Sequence, residues 1–187
     1  MQCQSFDQSD LTPVQLQDTF AAYVKEATEL KAEYAERLTL LVGLETDVIH
    51  QGSLDDLAQV LQKHDLDYIV GSVHHANGIP IDFDKATFDQ ALASFDGDQE
   101  ALCNHYFDQQ YALIQRFQPE VIGHFDLCRL YYPELDFRQW SSTWAKITRN
   151  VEAAVEYGAL FEINGAAFRK GWKTAYPGAE ILQASQV

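Results

Sequence analysis

Four short apolar runs, each closing on a polar residue able to do chemistry, constrain this chain more than any other feature. Leu40–Leu44 leads to Glu45, and Tyr68–Val73 leads to His74 and His75. Glu120–Gly123 leads to His124 and Asp126, and Ala159–Ile163 leads to Asn164, Arg169 and Lys170. Runs this short and continuous read as buried strands of a parallel sheet. Amphipathic stretches separate them, so the chain is expected to be α/β, with parallel strands and surrounding helices.

The separating segments carry helix punctuation. Thr12-Pro13 reads as an N-cap and first helical position. Phe20, Val24, Ala27, Leu30, Tyr34 and Leu38 then follow at helical spacing. Ser53 with Asp56 resembles a capping box for a short helix faced by Leu54, Leu57, Val60 and Leu61. Residues 76–84 read as a loop with Asn77-Gly78 as its turn. Thr87 is expected to cap a helix running through Phe95, and Asp98 to start one running to Phe117. A helix is also expected over 137–157, stopped by Gly158.

Composition bounds the alternatives. At 187 residues and 47% hydrophobic, the chain reads as a single domain that buries a core without staples. No domain boundary is visible within 1–187; residues 1–12 are expected to be disordered and 178–187 to form a weakly structured tail. The net charge of −15 argues against general binding to nucleic acid or to anionic membranes. Cys3, Cys103 and Cys128 are too scattered for a disulfide scaffold or a thiolate zinc site, which fits reduced thiols. No leader-like start and no apolar span are seen, so the expectation is a soluble cytoplasmic protein.

In barrels and open parallel sheets, the C-terminal strand ends form one shared face where ligands bind. Residues distant in sequence can therefore converge there. Imidazole and carboxylate are the usual ligands of zinc, manganese and iron in hydrolytic sites. Such metals polarise a phosphoryl oxygen and activate water. A nearby Arg would hold a phosphate in a bidentate manner.

The stretches GLE (Gly43–Glu45), GSVHHANGIPIDFD (Gly71–Asp84), GHFDLCRLY (Gly123–Tyr131) and FEINGAAFRK (Phe161–Lys170) resemble the histidinol-phosphatases of the PHP (polymerase and histidinol phosphatase) superfamily, the fungal type most of all. The resemblance is colinear from about Leu38 to about Pro177. It implies a distorted (β/α)7 TIM-like barrel with a divalent transition metal cluster of zinc, manganese or iron at its strand ends. It implies hydrolysis of L-histidinol phosphate to L-histidinol and phosphate, in histidine biosynthesis. Motif by motif, Glu45 corresponds to the bridging carboxylate, and His74 and His124 to metal ligands. His75 would line the pocket, and Arg169 and Arg129 would hold the phosphate.

Both ends of the family pattern are missing. No HxH occurs anywhere in this sequence, no ligand His precedes Glu45, and no DxH follows Pro177. The barrel is therefore expected to be incomplete, as in a fragment, a shortened gene model or a degenerate paralogue. A catalytically inactive interaction module, self-associating through exposed barrel edges, is the alternative. A nuclease-type domain of the same superfamily is disfavoured by the acidic charge.

Overall fold

A computed structural model describes residues 12–50 and 52–184. The elements run α1 (Pro13–Glu33), β1 (Gly43–Glu45), α2 (Ser53–Lys63), β2 (Tyr68–Gly71), β3 (His75–Ala76) and β4 (Ile79–Pro80). Then come α3 (Lys85–Ala93), α4 (Gln99–Phe117), β5 (Val121–Ile122), α5 (Ser141–Glu156), β6 (Leu160–Phe161), α6 (Ala166–Arg169) and α7 (Ala179–Ala184). Two 3₁₀ turns, Leu127–Arg129 and Phe137–Gln139, lie between β5 and α5.

The main sheet has the order β1-β2-β5-β6, with every pairing parallel. Each strand lies beside the next one along the chain, without the order reversal of a doubly wound sheet. This is the strand sequence of a barrel wall. Among the described residues, β1 and β6 are its two edges, so the wall is an arc of an incomplete TIM-like barrel.

Local chemistry explains most boundaries. The Thr12 hydroxyl accepts from the Gln15 N–H, and the Gln15 side chain accepts from the Thr12 N–H, a reciprocal capping box. Helix α1 stops at Glu33 rather than reaching Leu38. Main-chain bonds from Arg37 and Leu38 to the Tyr34 carbonyl turn the chain there, and the Asp67 carboxylate, holding both Lys31 and the Val42 N–H, joins α1 to the approach to β1. Strand β1 likewise starts at Gly43, not Leu40. It has a partner on one side only, and Leu41 remains exposed.

Two expected caps are corrected. Ser53 is the first helical residue, and its hydroxyl accepts from the Ile49 and His50 N–H groups instead of capping α2. Asp84, not Thr87, caps α3, accepting the Thr87 N–H at 2.7 Å. Asp98 caps α4 as expected, through the Ala101 N–H at 3.1 Å. The stretch expected as a loop contains the β3–β4 hairpin, turned by Asn77 (φ 50°) and Gly78 (φ 75°). Both residues sit in the left-handed region that a two-residue type I′ turn requires. The expected helix over 137–157 is split at Trp140.

The core lies between the arc and helices α4 and α5. Phe88, Tyr106, Phe107, Phe125 and Phe137 are fully buried, and each such ring stabilises the fold by roughly 1.5–3 kcal/mol. Asn150 seals the α4–α5 seam, donating to the Phe107 carbonyl at 2.7 Å and to Gln110 Oε1 at 3.1 Å. Cys103 and Cys128 are free and buried in this core.

The expected disordered segment lies outside the described residues except for Thr12, which is the α1 cap. Of the expected weak tail, residues 185–187 lie outside the described residues. Residues 179–184 form α7, and its Ile181 is fully buried. No helix among the described residues is long and apolar enough to cross a membrane.

Candidate metal centre

The sheet ladder continues past the strand ends and so fixes the residues just beyond them. The Thr46 N–H donates to the Val70 carbonyl at 2.8 Å, Gly123 to Gly71 at 3.0 Å, and Glu162 to Ile122 at 2.9 Å. Glu45, His74 and His124 are thus carried by three adjacent strands at their C-terminal ends. Gly123 allows the closest approach. A Cβ there would fall 2.2 Å from Ser72 Oγ and 3.1 Å from Val70 Cγ1. His124 is brought against His74 because the residue before it has no side chain.

The three donors converge. His74 Nε2 lies 3.0 Å from His124 Nε2, and Glu45 Oε1 lies 3.5 Å and 3.3 Å from these two nitrogens. Among the described residues, these three form the His, Cys, Asp and Glu group whose donor atoms all lie within 4.8 Å of one another. Bonds of about 2.0–2.1 Å in a tetrahedral shell put donors about 3.3–3.4 Å apart. The observed separations bracket that value, so the set fits a small divalent transition metal. Two imidazoles beside a single carboxylate suit a transition metal better than calcium, which takes six to eight oxygen donors.

Electrostatics agree. His124 and then His74 hydrogen-bond to the Glu45 carboxyl and hold it well below the usual carboxylate range. Burial opposes charge on His74, but Asp47 and Glu45 outweigh it and push the ring up to about 10. Burial also raises Asp47, and His74 and His75 more than reverse this, leaving its carboxyl well below its ordinary value. A pocket that holds a proton this tightly has a negative potential that also favours a cation.

The remaining expected site residues are dispersed. His75 begins β3, and its Nδ1 lies 2.7 Å from Asp47 Oδ2. Arg169 is exposed at the end of α6 and forms no ion pair among the described residues. Arg129 departs from the expectation of a phosphate-holding residue. It is buried, with Nε 2.7 Å from Asp126 Oδ2 and its guanidinium 5.1 Å from the centre of the Trp172 ring. Asp126 also accepts the Gly178 N–H at 2.9 Å, which leaves it neither a helix cap nor part of the metal cluster. Burial pushes its carboxyl up to about 6 even against the pull of Arg129.

Two site residues escaped the sequence reading. Asp47 accepts the His74 main-chain N–H at 3.1 Å, and Glu162 accepts that of His124 at 2.8 Å. Asp47 was findable, since it stands two residues beyond Glu45 in an extended stretch and so shares its side. Glu162 gave no comparable signal, being one acid within an apolar run.

Together the arc and the cluster define a class: a parallel α/β domain that gathers a carboxylate and two imidazoles, a possible metal site, at its C-terminal strand ends. The PHP domain family matches residues 6–166, and the chain belongs to that family. It is 47% identical over 176 residues to the probable histidinol-phosphatase of Schizosaccharomyces pombe, covering 92% of this chain and 58% of that protein. It is 30% identical over 190 residues to the histidinol-phosphatase of Saccharomyces cerevisiae, covering 87% of this chain and 57% of that protein. The histidinol-phosphatase of Bacillus subtilis is 26% identical over 176 residues, covering 87% of this chain and 65% of that protein. The chain thus spans less than two thirds of the length of these relatives.

Proposed function

We propose that this chain supplies the Glu45–His74–His124 metal site of a histidinol-phosphatase, which hydrolyses L-histidinol phosphate to L-histidinol and phosphate. The observation that carries the reading is the convergence of those three donors on adjacent strand ends. Similarity to proteins named histidinol-phosphatase supplies the substrate.

Each residue has a part. Glu45 stays ionised because both histidines donate toward it, so it presents a full negative charge to a cation. His74 and His124 each turn Nε2 inward. Bound by these donors, zinc, manganese or iron would polarise a phosphoryl oxygen and lower the pKa of water. Arg169, exposed and without an ion-pair partner among the described residues, is the guanidinium available to the phosphate. His75 is held by Asp47 beside His74 and helps wall the pocket.

The test is phosphate release from L-histidinol phosphate by the purified chain with added manganese or zinc, beside Glu45→Gln and His74→Ala. Activity in the parent and its loss in both variants is expected. A parent chain that binds metal and releases no phosphate would overturn the enzymatic reading.

A second reading is favoured by the two open sheet edges and by exposed Leu41, Leu160 and Ile163 near them. On this reading the chain is a PHP-fold interaction module that associates through those edges. Sedimentation velocity tests it, and a strictly monomeric species at tens of micromolar concentration would count against it.

A further inference from the structure

The two ligand histidines are held by the same device, repeated one strand apart. His74 lies just beyond β2, and its main-chain N–H donates to Asp47 Oδ1 from the end of neighbouring β1. His124 lies just beyond β5, and its main-chain N–H donates to Glu162 Oε2 from the end of neighbouring β6. In each case a carboxylate just beyond the flanking strand takes a main-chain donor that lies past the end of its own strand. An N–H at such a point would otherwise be satisfied by water or left unpaired.

Both carboxylates are themselves held. The second oxygen of Asp47 lies 2.7 Å from His75 Nδ1, and its first lies 3.6 Å from His74 Nδ1. Asp47 therefore faces the side of the His74 ring opposite the Nε2 atom that meets Glu45 and His124. The second oxygen of Glu162 accepts from Asn164 Nδ2 at 3.1 Å, and Asn164 Oδ1 accepts from the Ala166 N–H at 2.8 Å. Asn164 is fixed in turn by a pair of main-chain bonds with Tyr176.

We infer that Asp47 and Glu162 are a matched pair of positioning residues, which fix the backbone and, for Asp47, the ring face of the two histidines so that both Nε2 atoms meet at one point beside Glu45. The inference rests on the metal-site reading of Glu45, His74 and His124. A carboxylate at the far ring nitrogen, where Asp47 stands beside His74, fixes the orientation of a ligating histidine, and loss of such partners commonly weakens metal binding by about 10- to 100-fold; Glu162 acts on His124 through its main-chain N–H alone.

The experiment uses the full chain and two readouts. The first is the dissociation constant for Zn²⁺, measured against a chromogenic chelator. The second is amide hydrogen exchange at His74 and His124 by NMR in metal-free protein. Asp47→Ala should weaken Zn²⁺ binding by about 10- to 100-fold. It should also speed exchange at the His74 amide by about tenfold or more while sparing His124. Glu162→Ala should do the mirror image. Asp47→Asn and Glu162→Gln keep an accepting oxygen and should recover much of the amide protection; they also serve if an alanine variant fails to fold.

Unchanged Zn²⁺ affinity in both alanine variants would overturn the inference. So would equal loss of protection at both amides in each variant, which would mark general loosening. A parent chain that fails to bind Zn²⁺ would overturn the metal reading itself. The amide exchange, which needs no metal, would then decide the positioning roles alone.

Discussion

His74 Nε2 and His124 Nε2 lie 3.0 Å apart, although fifty positions separate the two residues in the chain. Two imidazole nitrogens held this close, with Glu45 Oε1 within 3.5 Å of both, form a compact set of donor atoms of the kind that holds a cation. Metal affinity and fold stability should therefore both respond to changes at the ligands and at the residues that bring them together.

Removing one donor should cost most of the metal affinity. Full zinc sites contribute about 10–16 kcal/mol across their ligands. One donor in four is therefore about 2.5–4 kcal/mol, or roughly 70- to 900-fold in affinity. His74→Ala and His124→Ala should each show this loss in isothermal titration with Zn²⁺, with thermal melts of the metal-free chain confirming that the variants fold.

Gly123→Ala should damage the site without touching a ligand. The added methyl meets Ser72 Oγ at 2.2 Å and Val70 Cγ1 at 3.1 Å, so the Ser72 hydroxyl must rotate away or β5 must shift from β2. Overpacking of this kind costs about 1–3 kcal/mol. Urea denaturation should register it, and Zn²⁺ titration should show weakened binding. Adding Ser72→Ala removes the nearer clash and should restore part of the lost stability; no recovery would place the strain elsewhere.

Asp126 and Arg129 should behave as a structural pair, since Asp126 is fully buried and Arg129 is only 3% exposed. Asp126→Ala leaves the guanidinium buried and uncompensated, at a cost of about 3–5 kcal/mol. The double change Asp126→Leu, Arg129→Met removes both charges and should recover most of that stability. Denaturant midpoints for the three proteins test this. A double variant no better than the single one would show that the charges are needed for more than each other.

The Asp67 tie between α1 and the sheet should be sensitive to acid. Its carboxyl lies below its ordinary 3.8 because Lys31 and the Val42 N–H bond to it. A depressed carboxylate contributes stability above its unfolded pKa and loses it as pH falls through the folded value. Asp67→Asn should therefore melt lower than the parent at neutral pH. The gap should close as the pH drops below about 4. A gap that stays constant into acid would mean the contribution is not the charge.

The three candidate ligands stand out in the sequence because each directly follows an apolar run, and parallel strands bring such positions to one face. The hairpin turn was legible because Asn-Gly suits the left-handed backbone that a tight turn needs. Arg129 was misleading for a physical reason. Its place near His124 suggested the site, but Asp126 claims it once residues 172–178 fold over the pair. Pattern alone does not separate Asp84 from Thr87 as the α3 cap, since both are good caps and only the backbone of Asp84 is extended. Glu162 stayed hidden because its function is to receive a main-chain donor, and no side-chain pattern in a single sequence encodes that.

The register of the arc has one further consequence. Neighbouring strands in a sheet are spaced about 4.8 Å apart by their hydrogen bonds. Successive residues along a strand point to opposite faces. With Glu45 paired to Val70 and Gly71 to Ile122, the hydrogen-bond lattice acts as the ruler that measures out the site. Insertions in the loops that join helices to strands leave that ruler intact. A single residue inserted between Tyr68 and Gly71 breaks that pairing and shifts the backbone leading to His74 by one step. The coordination geometry is written in the phase of the backbone as much as in the identity of the ligands.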